Sequence, residues 1–81
     1  MPTILAGAWR LVVITGDHDP RHAHAKYGSG NGPEVVVLLG FDGIAKLREA
    51  DRALSRADIR KAVTLVQEHF DELVKIWERY C

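Results

Sequence analysis

The chain is nearly without cysteine: one thiol, Cys81, in 81 residues. A single cysteine cannot close an internal disulfide, so a disulfide scaffold is excluded and a reducing, cytoplasmic setting is expected. Long apolar runs are also missing. None approaches the ~20 residues that a membrane-spanning helix needs. The opening Met1-Pro2-Thr3-Ile4-Leu5 lacks the basic flank and apolar stretch of a secretion signal. Neither sign of charge is in excess, since 11 basic residues face 11 acidic ones. That balance argues against a general polyanion binder and leaves room only for a local basic patch. Repeats and low-complexity segments are absent, and no glycine or proline falls between Ile44 and Cys81. What remains is a chain that is 47% hydrophobic, enough for one small core. The expectation is a single soluble domain of bacterial style.

The first half reads as strands. Trp9 to Thr15 is aliphatic and β-branched, and Gly16-Asp17 ends it. His22 to Tyr27 is a second strand, entered through Pro20. The glycine-rich segment 28–33 closes it and reads as a hairpin connection. Glu34 to Leu39 is a third strand, ended by Gly40. Asp42-Gly43 is a turn dipeptide, and Ile44 to Glu49 reads as a fourth strand. The spacing of Ile44, Leu47 and Ala50 also fits a helical turn.

The second half reads as helix. Ser55 is placed to cap it, with Asp58 three residues on and Leu54 and Ile59 set for a hydrophobic staple. Ile59, Val63, Val66, Phe70, Leu73, Trp77 and Tyr80 then alternate in steps of four and three, which is one apolar stripe. A single helix from Arg56 to Arg79 would be about 36 Å long. The alternative is a break near His69–Asp71, with Asp71 capping a second helix. The fold class is therefore α+β: a small antiparallel sheet of three to four strands over about 9–49, then a helical segment over about 56–80. Strands one and three are apolar on both faces. Such strands are usually buried on both sides, so another subunit or a partner protein is expected to cover what one helix cannot.

The chemistry gathers in Asp17-His18-Asp19-Pro20-Arg21-His22-Ala23-His24, which holds three of the four histidines. On a strand, residues two apart share a face with roots ~6.5–7 Å apart, so His22 and His24 can converge, with Lys26 continuing that face. His18 is placed in the loop before them. Three readings follow. His18, His22 and His24 form a divalent-metal site, with Asp17 or Asp19 as further ligands or as orienters of a ring proton. Alternatively, His22, His24 or His18 serves as general acid or base in a nuclease or hydrolase, with Arg21 and Lys26 holding phosphate. Or the polar strand face grips a partner. The plainer account is a polar face bonded to backbone and water. His69 reads as a helix-surface or junction residue. Arg52, Arg56 and Arg60 recur every four residues and would form one basic stripe for DNA or RNA phosphates if the region is helical; a solvated face with ion pairs is the blander account. Trp9, Phe70 and Trp77 read as core.

The order of the pieces is specific. A Met1-Pro2-Thr3-Ile4 start and a strand precede His18-x-Pro20-x-His22-x-His24. Leu54-Ser55-Arg56-Ala57-Asp58-Ile59 and Glu68-His69-Phe70-Asp71-Glu72-Leu73-Val74-Lys75-Ile76-Trp77 follow. In this the chain resembles the small bacterial proteins catalogued as domain of unknown function 4160. Relatives usually show a second proline before His22 and a β-branched residue beside each histidine. This chain has Arg21, Ala23 and Ala25 at those places. The resemblance implies no established reaction. It implies a setting similar to toxin–antitoxin-like or regulatory gene pairs, hence a protein partner from the adjacent gene or a homo-oligomer. A non-enzymatic binding or regulatory component is the first expectation, and a histidine-dependent nuclease or hydrolase the second.

Overall fold

The computed structural model describes residues 2–28 and 32–81. Five strands are followed by two helices: β1 (Thr3–Ala6), β2 (Trp9–Val12), β3 (His22–Tyr27), β4 (Glu34–Leu39), β5 (Ala45–Ala50), α1 (Arg56–Glu68) and α2 (Phe70–Tyr80). The strands form one antiparallel sheet in chain order, β1-β2-β3-β4-β5. The α+β class holds, and the expected count of three to four strands is corrected to five.

The added strand is β1. It pairs Ile4 with Leu11 and Ala6 with Trp9. Its link to β2 is the two-residue turn Gly7-Ala8, where Gly7 has φ 61°; among the described residues only glycines take positive φ. Glycine first in a two-residue loop suits the turn whose twist matches the strands it joins. β2 is shorter than the expected Trp9–Thr15. It stops at Val12, and the Val13 N–H donates to the Pro2 carbonyl at 3.4 Å. β3 and β4 span the expected residues. Ser29, Gly30 and Asn31 of the connection expected between them lie outside the described residues.

β5 resolves the ambiguity at Ile44, Leu47 and Ala50. Val37 pairs with Leu47, but Val36 pairs with Glu49, so Arg48 is an extra residue in a bulge. The bulge lets Leu47 and Ala50, three apart, both follow core-facing partners (Val37 and Val35). A strand thus carries a spacing that otherwise belongs to a helix.

One face of the sheet carries Trp9, Leu11, Ala23, Ala25, Val35, Val37, Leu39 and Ala45, all in the core cluster with Ala62, Leu65, Val66, Phe70, Leu73 and Trp77 of the helices. Ser55 caps α1 with the reciprocal box: its hydroxyl accepts from Asp58 N–H at 3.1 Å, and Asp58 Oδ2 accepts from Ser55 N–H at 3.4 Å. The single long helix is not formed. The backbone turns at His69 (φ −106°, ψ 19°), which ends α1 and starts α2. No side chain caps α2, so the expected cap by Asp71 is corrected. The turn redirects α2 so that Phe70, Leu73 and Trp77 stay buried.

The opposite face carries Val12, His24 and Val36 in one cross-strand row. Val12 and Val36 are buried within the single chain. Among the described residues, no helix is long and apolar enough to cross a membrane.

Candidate functional site

β3 leaves the core-facing side to the two smallest apolar residues, Ala23 and Ala25, and puts His22, His24 and Lys26 on the other. The connection from β2 supplies the third participant. It is tied to α2 where Gly16 N–H donates to the Tyr80 carbonyl at 3.2 Å and Cys81 Sγ approaches the Ile14 carbonyl at 3.4 Å. Asp17 follows, and its carboxylate reaches both rings. Oδ2 lies 2.8 Å from His22 Nε2 and 3.3 Å from His24 Nε2.

The outer ring nitrogens are also held. His22 Nδ1 meets the Pro20 carbonyl at 2.8 Å, and His24 Nδ1 meets Glu34 Oε2 at 3.3 Å. Glu34 pairs with Lys26 across the β3–β4 ladder, one step diagonal from His24, which brings its carboxylate within reach. The two imidazoles lie edge to face at 5.1 Å, and the Trp77 ring lies 5.3 Å from His22. His22 is the buried polar residue of this face at 6% exposure, so its polar atoms depend on these partners rather than on water. Burial raises the Asp17 pKa. The hydrogen bond with His24, the charge at His22 and the His18 N–H together outweigh it, and the carboxyl sits below its ordinary value.

The candidates separate clearly. Asp17, His22 and His24 come together; each offers a ligand atom within 4.8 Å of the others. His18 is exposed and stands outside that group, where with Asp17 it lines a cleft of about 430 Å³. Asp19, Arg21, Phe41 and Trp77 line the same cleft. The Arg21 guanidinium is engaged: it donates to the Leu39 and Gly40 carbonyls at 2.9 and 3.1 Å and stacks over Phe41 at 4.2 Å. Lys26 shares the histidine face. Arg56 and Arg60 lie on α1, but Arg52 lies in the turn before the Ser55 cap, so the three do not form one helical stripe. His69 is the junction of the two helices. Glu34 and the Pro20 carbonyl were not anticipated as partners of the rings; the β3–β4 register is the signal that would have found Glu34.

The molecule is thus a five-stranded α+β domain with a carboxylate–histidine cluster beside a surface cleft. The sequence profile described as Domain of unknown function (DUF4160) matches residues 9–78, and the chain belongs to that family. No curated protein and no solved structure matches it.

Proposed function

We propose that this protein is a non-enzymatic binding component that acts by associating with a second small protein, in the manner of a toxin–antitoxin-like pair. The observation that carries this reading is the β4–β5 hairpin. Phe41, Ile44 and Leu47 are 89%, 51% and 50% exposed there. Leu47 lies on β5 and Phe41 and Ile44 in the turn before it; β5 is the last strand of the sheet, and among the described residues no further strand pairs with its outer edge. An open edge beside large apolar side chains is a site for strand pairing with another chain. Burying the Phe41 ring alone would contribute about 2 kcal/mol. The test is co-expression with the product of the adjacent gene, followed by purification. A stoichiometric complex that Phe41→Asp and Leu47→Asp each weaken is expected. Recovery of free monomer alone removes the reading, and a homodimer in sedimentation would redirect it to a second copy of this chain.

A second reading, a histidine-dependent hydrolase or nuclease, is favoured by the convergence of Asp17, His22 and His24. Cleavage of RNA or DNA by the wild type, lost in His22→Ala, is its test. No cleavage above the variant's level ends it.

A further inference from the structure

The hydrogen-bond inventory of the two rings does not close with neutral imidazoles. His22 presents Nδ1 to the Pro20 carbonyl and Nε2 to Asp17 Oδ2, both at 2.8 Å. His24 presents Nδ1 to Glu34 Oε2 and Nε2 to Asp17 Oδ2, both at 3.3 Å. A carbonyl and an ionised carboxylate only accept, so all four ring nitrogens face acceptors. A neutral imidazole has one donor nitrogen and one acceptor nitrogen. One contact of each ring would then set lone pair against lone pair. A cation among the two Nε2 atoms and the Asp17 carboxylate removes the conflict. Each Nε2 gives its lone pair to the ion, and each Nδ1–H donates outward.

That outward arrangement is the support which metal-binding histidines ordinarily have: the second nitrogen donates to a backbone carbonyl or a carboxylate, which fixes the tautomer and the ring plane. Here the Pro20 carbonyl and Glu34 occupy those two places. The spacing of Asp17 from each ring agrees as well. Donors bound at 2.0–2.1 Å stand about 3.3 Å apart at tetrahedral corners, and about 3.0 Å apart at adjacent octahedral corners. The separations from Asp17 Oδ2 are 2.8 and 3.3 Å. The carboxylates of Asp17 and Glu34 together balance a divalent charge.

We propose that Asp17, His22 and His24 form a site for one divalent transition-metal ion of the zinc class, oriented from behind by Glu34 and the Pro20 carbonyl. Two imidazole nitrogens and a carboxylate suit zinc or ferrous iron, and three protein ligands leave a coordination position for water or a small anion. Asp17 borders the cleft that also holds His18, which gives the ion a route from solvent. This inference stands apart from both readings above, because a loaded site that cleaves nothing and binds no partner leaves it intact.

The experiment titrates the purified protein with Zn²⁺ by calorimetry and with Co²⁺ by visible absorbance. One ion per chain is expected, with Co²⁺ bands of a four- or five-coordinate site. His22→Ala and His24→Ala should abolish both signals. Glu34→Ala should weaken binding by about 10–100-fold, while His69→Ala leaves it unchanged. Because the histidine variants can fail to fold, ring nitrogen resonances of the unaltered protein provide the independent readout. Shifts at Nε2 of His22 and His24 on adding Zn²⁺ support the site. Shifts confined to His18 or His69, or no binding at micromolar metal, overturn it in favour of a metal-free network in which both rings carry two hydrogens.

Discussion

Gln67 on α1 accepts from the backbone N–H of Ala45 at 2.8 Å, at the first residue of β5. The same side chain donates to the Gly43 carbonyl at 3.0 Å, so one amide clamps both sides of the turn that leads into the edge strand. Ala45 is buried, and the Gln67 oxygen supplies the partner that its N–H would otherwise lack. Helix and edge strand are thereby coupled through polar atoms as well as through the core.

Gln67→Ala is expected to cost about 1–3 kcal/mol, the penalty for a buried N–H left unmade. Gln67→Glu keeps the acceptor for Ala45 and loses the donor to Gly43, so it should cost less than the alanine change. Urea unfolding of the three proteins checks this order. Equal midpoints would show that water replaces the clamp.

Ser55→Ala should lower stability by about 1 kcal/mol, because it removes the acceptor for the Asp58 N–H and opens the capping box. The denaturation midpoint should fall with an unchanged slope, since the surface exposed on unfolding is the same. An altered slope would mean that more than the helix end had changed.

Leu73 of α2 is fully buried in the core cluster, whereas Leu5 is exposed on β1. Leu73→Ala is expected to cost about 2–5 kcal/mol, and Leu5→Ala less than about 0.5 kcal/mol. A large effect at Leu5 would indicate that its face is covered by another chain in solution.

Asp42 closes the turn before β5. The N–H of Ile44 holds its carboxyl below the ordinary value of 3.8, and Lys46 at 3.1 Å adds to that. A depressed folded-state value means that the stabilisation is present above the unfolded value and is lost as pH falls through the folded one. Acidification from about pH 5 to about pH 2.5 should therefore destabilise the wild type more than Asp42→Asn. Thermal melts across that window decide it, and parallel acid limbs would contradict the assignment.

What the sequence disclosed were features with a local or periodic signal. The alternation in His22–Tyr27 placed both histidines on one face, and Ser55 with Asp58 marked the helix start to the residue. β1 was missed because a four-residue strand with half its side chains exposed has little periodic signal; the Gly7 turn was the available clue. The break at His69 was open in the sequence as the alternative to one long helix, and the apolar pattern itself did not decide between them. The steps of four and three run through it, and the change of direction comes from packing Phe70, Leu73 and Trp77 rather than from a breaker residue. At the site, a period of two could pair His22 with His24. Nothing periodic could choose Asp17 over His18, because that choice depends on how the loop after Gly16 is tied to Tyr80.

The strand order that repeats the chain order carries a kinetic consequence. Each strand pairs with the one just made, so four hairpin closures assemble the sheet without a long search. Topologies built from such near neighbours fold quickly for a sheet-containing domain. The Gly16–Tyr80 bond is different, since it joins the first third of the chain to its last turn and closes only once α2 has docked. The acid-and-histidine cluster is thus expected to mature after the sheet. Stopped-flow refolding of a Trp9→Phe variant, in which Trp77 is the one tryptophan left, would show this as Trp77 fluorescence lagging behind the far-ultraviolet dichroism signal, and coincident traces would refute it.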